Sequence, residues 1–215
     1  ASGAAGAIYQ FLGIKRDEQF PKPVREGIKA AGDAKYHEYG THKVIHVVGP
    51  NFHQEKPPPG NLDSKQEFAK ERLTLAYKSA LAEFVAVLSG WYETDGRAQA
   101  TARTPADQAW RSEPMQLRLL PISGGTFAGR FADTLPQLTF EALEAGFRAL
   151  EPEQQGVLMA WLKESSGRVQ NHPTATLPLE MCVFLETEFE TYRSALSRVR
   201  DGADTGGGTG SSSSG

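Results

Sequence analysis

Two glycine-rich segments more than a hundred residues apart constrain this chain most. The first is Gly3-Ala4-Ala5-Gly6-Ala7-Ile8, and the second is Leu119-Leu120-Pro121-Ile122-Ser123-Gly124-Gly125-Thr126-Phe127-Ala128-Gly129. Each leads into a helical pattern, and an apolar strand-like run precedes the second. α/β proteins hold phosphates in this way: glycine lets the backbone approach the ligand, and a helix start offers unpaired N–H groups. Two such segments facing each other suit a diphosphate better than a single phosphate.

The pattern between them alternates strands with helices. Ala4 to Leu12 reads as a short helix ended by Gly13, and Phe20 to Ala31 as a second, with Pro21 and Pro23 in its first turn. Asp33 to His42 is polar and turn-rich. The β-branched run Lys43–Val48, ended by Gly49-Pro50, predicts a buried strand. Ser64 to Leu88 carries Phe68, Leu73, Leu75, Ala76, Ala80, Leu81, Phe84 and Leu88 on one helical face, and Gly90 is expected to end it. Residues 93–114 read as a polar surface insertion. Gln116–Ile122 and Leu179–Leu185 are the next strands. Helices are expected over Thr134–Leu150, from Pro152 to near Gly167, and over Thr187–Val199. The tail, 201–215, is too rich in Gly, Ser and Thr to build a core and is expected to be disordered. Together these give one α/β domain over 1–200, with a mostly parallel sheet covered on both faces. Ligands of such sheets sit outside the strand C-termini, where both glycine segments would lie.

Composition narrows the function classes. At 215 residues the chain is long enough for one domain with a full core. A net charge of −3 gives no footprint for duplex DNA or an anionic membrane. No apolar run approaches the roughly 20 residues of a membrane span, and no signal peptide is visible. The lone Cys182 excludes an internal disulfide and fits a reducing compartment, so an intracellular setting, cytoplasmic or nuclear, is expected. Cys182 itself reads as a small buried hydrophobe. The chain opens inside a glycine segment and not on Met, which points to a fragment or a missing start.

Several residues invite a sharper reading. His46, in an apolar strand, reads as a hydrogen-bonded structural histidine rather than a catalyst. His37, His42 and His46 cluster without a Cys or acidic partner at metal spacing, so no metal and no cofactor are expected. Ser123 lacks the Gly-x-Ser-x-Gly flanks of a nucleophile elbow. Arg130 is as suited to the surface as to a phosphate. Phe127 on a glycine segment is the oddity that packing does not explain, whereas an aromatic face against a sugar or base would.

The same residues, in order, resemble the macrodomain family, the α/β module that binds ADP-ribose. Gly3-Ala-Ala-Gly6-Ala-Ile8-Tyr9 resembles the family's first phosphate loop, usually a glycine run followed by Gly-Ala-Ile-His. Gly32-Asp-Ala with Lys43-Val-Ile-His-Val-Val-Gly-Pro50 resembles its "G-[DE]-A … Y-V-I-H-x-V-G-P" segment. Leu120–Gly129 resembles the second loop, and Leu179–Leu196 the terminal strand and helix. The resemblance runs from Ala1 to about Val199. It implies a three-layer α/β/α fold with a mixed, mostly parallel central sheet. It also implies ligand-binding positions at Gly3, Ala4, Ala5, Gly6, Ile8, Val48, Pro50, Ser123, Gly124, Gly125, Thr126 and Phe127, with Phe127 against the distal ribose. The implied partners are ADP-ribose or ADP-ribosylated proteins, bound by a monomer or by one module of a longer chain.

The chain also departs from the family. The strand–helix–strand that usually precedes the first loop is absent, and with it an acidic adenine-reading residue and an Asn-bearing strand end. Losing the second of those strands would remove an interior member of the sheet. Ala5 stands where hydrolytic members tend to carry an acidic residue, and alanine cannot position water or take a proton. Tyr9 replaces the usual His. A binding module is therefore expected, with no catalytic residue assigned. The alternatives are an ADP-ribosyl hydrolase or O-acetyl-ADP-ribose deacetylase, and a degenerate macrodomain acting as a protein-interaction module.

Overall fold

Glycine and proline punctuate the N-terminal elements of the computed structural model, which describes residues 3–101, 115–171 and 177–205. Helix α1 (Gly3–Phe11) begins at Gly3, φ 64°, and stops at Gly13, φ 74°. There Ile14 N donates to Tyr9 O at 2.8 Å. Helix α2 (Lys22–Gly27) is shorter than the expected 20–31. The Asp33 carboxylate accepts from the Lys29 and Ala30 N–H groups, each at 2.7 Å, and so draws those amides out of the helical ladder.

The polar stretch read as a turn is a strand. β1 (Ala34–Tyr39) pairs antiparallel with β2 (His42–Val47), from Ala34↔Val47 to Tyr39↔His42. Gly40, φ 62°, opens the two-residue connection, as tight hairpins favour. Cross-strand pairing, not local hydrophobicity, holds β1. β2 is correspondingly less covered than a strand buried on both faces: His46 is its only buried residue. Glu83 pins the hairpin to the next helix, accepting from the Tyr36 N–H at 2.8 Å and the Lys35 ammonium at 3.1 Å.

Helix α3 (Leu62–Thr101) runs straight through Gly90. A lone glycine costs a helix about 1 kcal/mol against alanine, which strong helix formers on both sides outweigh. The helix thus takes in residues 93–101 of the expected insertion, whose remainder, 102–114, lies outside the described residues. Leu62–Glu93 is long and apolar enough by composition to cross a membrane. Its Leu73, Ala76, Tyr77, Leu81, Phe84 and Leu88, however, are buried inside the fold. Leu75, expected on the inward face, is 44% exposed beside Gly32.

β3 (Leu117–Leu119) pairs parallel with β4 (Leu179–Met181). Both are shorter than expected. Pro121 has no N–H to continue the first, and Phe184 and Leu185 turn out to solvent beyond the second. Cys182 is half-buried, its N–H donating to Leu119 O at 2.7 Å. Helices α4 (Leu135–Arg148) and α5 (Pro152–Asn171) make the crossover. Helix α6 (Glu186–Thr205) follows β4 and includes the first residues of the expected tail, while 206–215 lie outside the described residues.

The chain is therefore mixed α/β. Among the described residues its strands form two separate two-stranded ladders, β1–β2 and β3–β4, rather than one sheet. No described strand lies between β2 and β3 to join them. Helix α3 unites the parts. One core beside it holds Phe52, Leu73, Tyr77, Phe131 and Leu138, and a second holds Leu81, Phe84, Leu119, Leu158 and Trp161. At the α3–α4 seam a Cβ on Gly146 would stand 2.9 Å from Lys78 N, so the two helices nearly touch backbone to backbone.

Candidate functional site

The second glycine segment forms a tight, interlocked loop at the C-terminal end of β3. Pro121 ends the strand, and Gly124 N turns back to Pro121 O at 3.1 Å. Ser123 has φ 61°, a left-handed conformation uncommon for a side-chain-bearing residue. It is held there from a distance, because its buried hydroxyl donates to Pro50 O at 2.6 Å. A short 3₁₀ helix, Gly125–Phe131, follows and is interrupted at Gly129, φ 54° and ψ −129°.

The end of β2 packs directly against this loop. A Cβ on Gly49 would fall on Ser123 Oγ and Ile122 Cγ2, so only glycine fits. Phe52 N donates to Phe127 O at 3.0 Å. Gly129 lies against the Phe52 backbone, where a Cβ would be 2.9 Å from the carbonyl carbon and oxygen. Phe52 itself is fully buried, edge-on to Phe131 at 4.9 Å. From the other side the Tyr77 hydroxyl accepts from Ile122 N at 3.0 Å.

The loop keeps one face open. Gly125, Thr126 and Phe127 are exposed, Phe127 by 47%. Nothing lies within 4 Å of a Cβ placed on Gly125. The Gly125 and Thr126 N–H groups have no acceptor among the described residues. An anionic group can therefore reach amides here without displacing protein.

The structure brings Pro50 and Ser123–Phe127 into one place, whereas the Val48 backbone bonds to Gly32 and Asp33. It puts Gly3, Ala4, Ala5, Gly6 and Ile8 on the first turns of α1, which buries none of its residues fully. No hydrogen bond, ion pair or ring contact among the described residues joins them to the second loop. Helix α1 instead meets the hairpin: Tyr9 stacks on His46 at 5.9 Å and meets Phe20 edge-on at 5.1 Å.

His46 has a structural setting. It is 4% exposed, its Nε2 shares a hydrogen bond with the Tyr39 hydroxyl at 2.9 Å, and Phe20 closes on it edge-on at 5.4 Å. Burial, with a lesser contribution from nearby His37, pushes its pKa down to about 4. His46 is thus neutral at pH 7 and packs as an aromatic. His37 and His42 contact Tyr39 and Phe11 respectively. Among the described residues no group of three or more His, Cys, Asp or Glu side chains is placed to hold a metal ion.

A shallow cleft of about 230 Å³ lies elsewhere, between α3 and α4. Asp63, Glu67 and Glu141 line it against one cation, Lys70. A phosphate there would meet net negative charge, so the glycine loop remains the candidate anion site. Compared with known proteins, the chain matches no family model and no curated protein.

Sequence reasoning missed Tyr77 and Phe52 as supports of the loop. A tyrosine on the core stripe of the longest helix was the available signal, since a buried phenol needs a hydrogen-bond partner. Nothing local identified which partner.

Proposed function

We propose that this chain is a macrodomain-like module that binds ADP-ribose, free or on protein, through the loop Ser123–Phe127. The observation carrying this reading is the exposed stretch Gly125–Phe127, with free amides beside a half-exposed aromatic ring, on a loop locked to the end of β2. Phosphate oxygens would accept from the Gly125 and Thr126 N–H groups, and the Phe127 ring would lie against the distal ribose. Backbone donors on a pre-set loop cost little ordering on binding. The three-layer arrangement with a mixed sheet belongs to the same proposal. The two ladders, one antiparallel and one parallel, are what such a sheet would leave if one interior strand were absent. In the same proposal, the segment Gly3–Ile8 would supply the second phosphate contact.

Gly125→Glu tests the site. The carboxylate enters open space, so the fold survives, while charge and bulk fill the diphosphate seat. ADP-ribose binding by the parent should be lost in the variant. Equal binding by both would refute the assignment.

A second reading, a protein-interaction module, has its own observation. Phe184, Leu185, Phe189 and Leu196 are each about half exposed on α6 and the turn before it. A folded chain that ignores ADP-ribose would favour that reading.

A further inference from the structure

We propose that Tyr77 is the positioning residue of the Ser123–Phe127 loop, its hydroxyl standing in for a neighbouring strand on the open edge of β3. In the β3–β4 ladder, Leu117 N donates to Pro178 O at 2.8 Å, and Leu119 O accepts from Cys182 N at 2.7 Å. Backbone groups alternate in direction along a strand, so those of Arg118, and of Leu120 next to the strand end, face the other edge, while Ile122 lies in the turn just beyond. No described strand pairs there. Tyr77, fully buried on α3, reaches that edge instead. Its oxygen accepts from Ile122 N at 3.0 Å and makes a longer contact, as donor, to Leu120 O at 3.5 Å.

The position of these bonds gives Tyr77 its effect. Pro121 has no N–H, so Ile122 supplies the first amide after the strand that can anchor the chain. Fixing it sets the Pro121–Ile122 peptide plane one residue before Ser123, whose left-handed φ aims the chain toward Gly125. The Ser123 hydroxyl on Pro50 O is the second hold, on the opposite side. Burial drives the Tyr77 phenol pKa upward, so the hydroxyl keeps its proton and can serve both partners. The consequence for ligand binding rests on the proposed ADP-ribose reading; the consequence for the loop does not.

The test is Tyr77→Phe, which keeps the ring in its core and removes one oxygen. Tyr39→Phe is the control, because it too removes one hydrogen-bonded phenol oxygen, but from a bond to His46 Nε2 on the hairpin, at 2.9 Å. Amide hydrogen exchange at Ile122 and at Gly124, whose N–H is bonded to Pro121 O, should quicken about tenfold in Tyr77→Phe, relative to amides of α3 and α4, the scale of one lost buried hydrogen bond. The control should leave the loop unchanged. Where the parent binds ADP-ribose, Tyr77→Phe should weaken it by a similar factor with the AMP response unaltered. If loop exchange is unchanged, or rises only in step with the core helices or equally in the control, the inference is overturned. A parent that binds no ADP-ribose defeats the functional reading alone, since the exchange comparison still decides the role of Tyr77.

Discussion

Gly125 and Gly129 sit four residues apart in one loop, and alanine at each should have very different effects. Both have positive φ, 63° and 54°. At Gly125 a Cβ meets nothing within 4 Å. The cost is then only the left-handed conformation, roughly 1–2 kcal/mol, partly offset by the stiffer unfolded chain, leaving about 1 kcal/mol. At Gly129 ψ is −129°, outside the ordinary left-handed well, and the Cβ would lie 2.9 Å from the Phe52 carbonyl. That atom is backbone and cannot rotate aside. Conformational strain of about 1–3 kcal/mol adds to an overpacking cost of similar size, for a total of about 4 kcal/mol. At roughly 2–4 °C per kcal/mol for a chain of this length, Gly125→Ala should lower Tm by about 3 °C and Gly129→Ala by about 12 °C in a calorimetric scan. The collapse should also loosen the loop, because Phe52 N holds Phe127 O. Losses within 2 °C of each other would refute the interlocking described for this loop.

Three other outcomes follow from the same geometry. His46, with its folded pKa at about 4 against 6.5, favours the neutral form; its contribution is present above pH 6.5 and is lost as pH falls toward 4. Urea midpoints should show about 1–2 kcal/mol less stability at pH 5 than at pH 7, and His46→Phe should flatten that difference; an equal slope in the variant would sink the assignment. Gly146→Val, whose added carbons press on Lys78 N, should cost about 3 kcal/mol, and a Tm loss under 2 °C would show that α3 and α4 can part freely. Phe127→Ala should leave Tm within about 2 °C, since the ring is half exposed, yet weaken ADP-ribose by about tenfold; titration of parent and variant side by side checks it.

What the sequence disclosed was punctuation and periodicity. Gly13 ended α1 as expected, and the glycines after Ser123 marked a loop at a strand end. The inward face of α3 was readable except at Ala69, Leu75, Tyr77 and Val85. The failures share a cause: interactions across long sequence distances. β1 is polar and alternates weakly, so it became visible only through its partner β2, although Gly40-Thr41 was a hairpin signal in plain view. Gly90 reads as a stop because glycine often is one, but no left-handed cap forms there. Gly49 reads as a strand end and Gly129 as part of a phosphate-holding segment. Their reason is the close approach of the Pro50–Phe52 backbone to a loop some seventy residues away, which no local pattern encodes. The two ladders were likewise not legible, since strand order is set by which edges meet.

Calorimetric titration of ADP-ribose into the folded chain, with AMP as the control, tests the central claim most directly. Micromolar binding that AMP cannot match, abolished by Gly125→Glu, is the predicted result. A folded chain that takes up no ADP-ribose, or takes it up no better than AMP, would contradict the account.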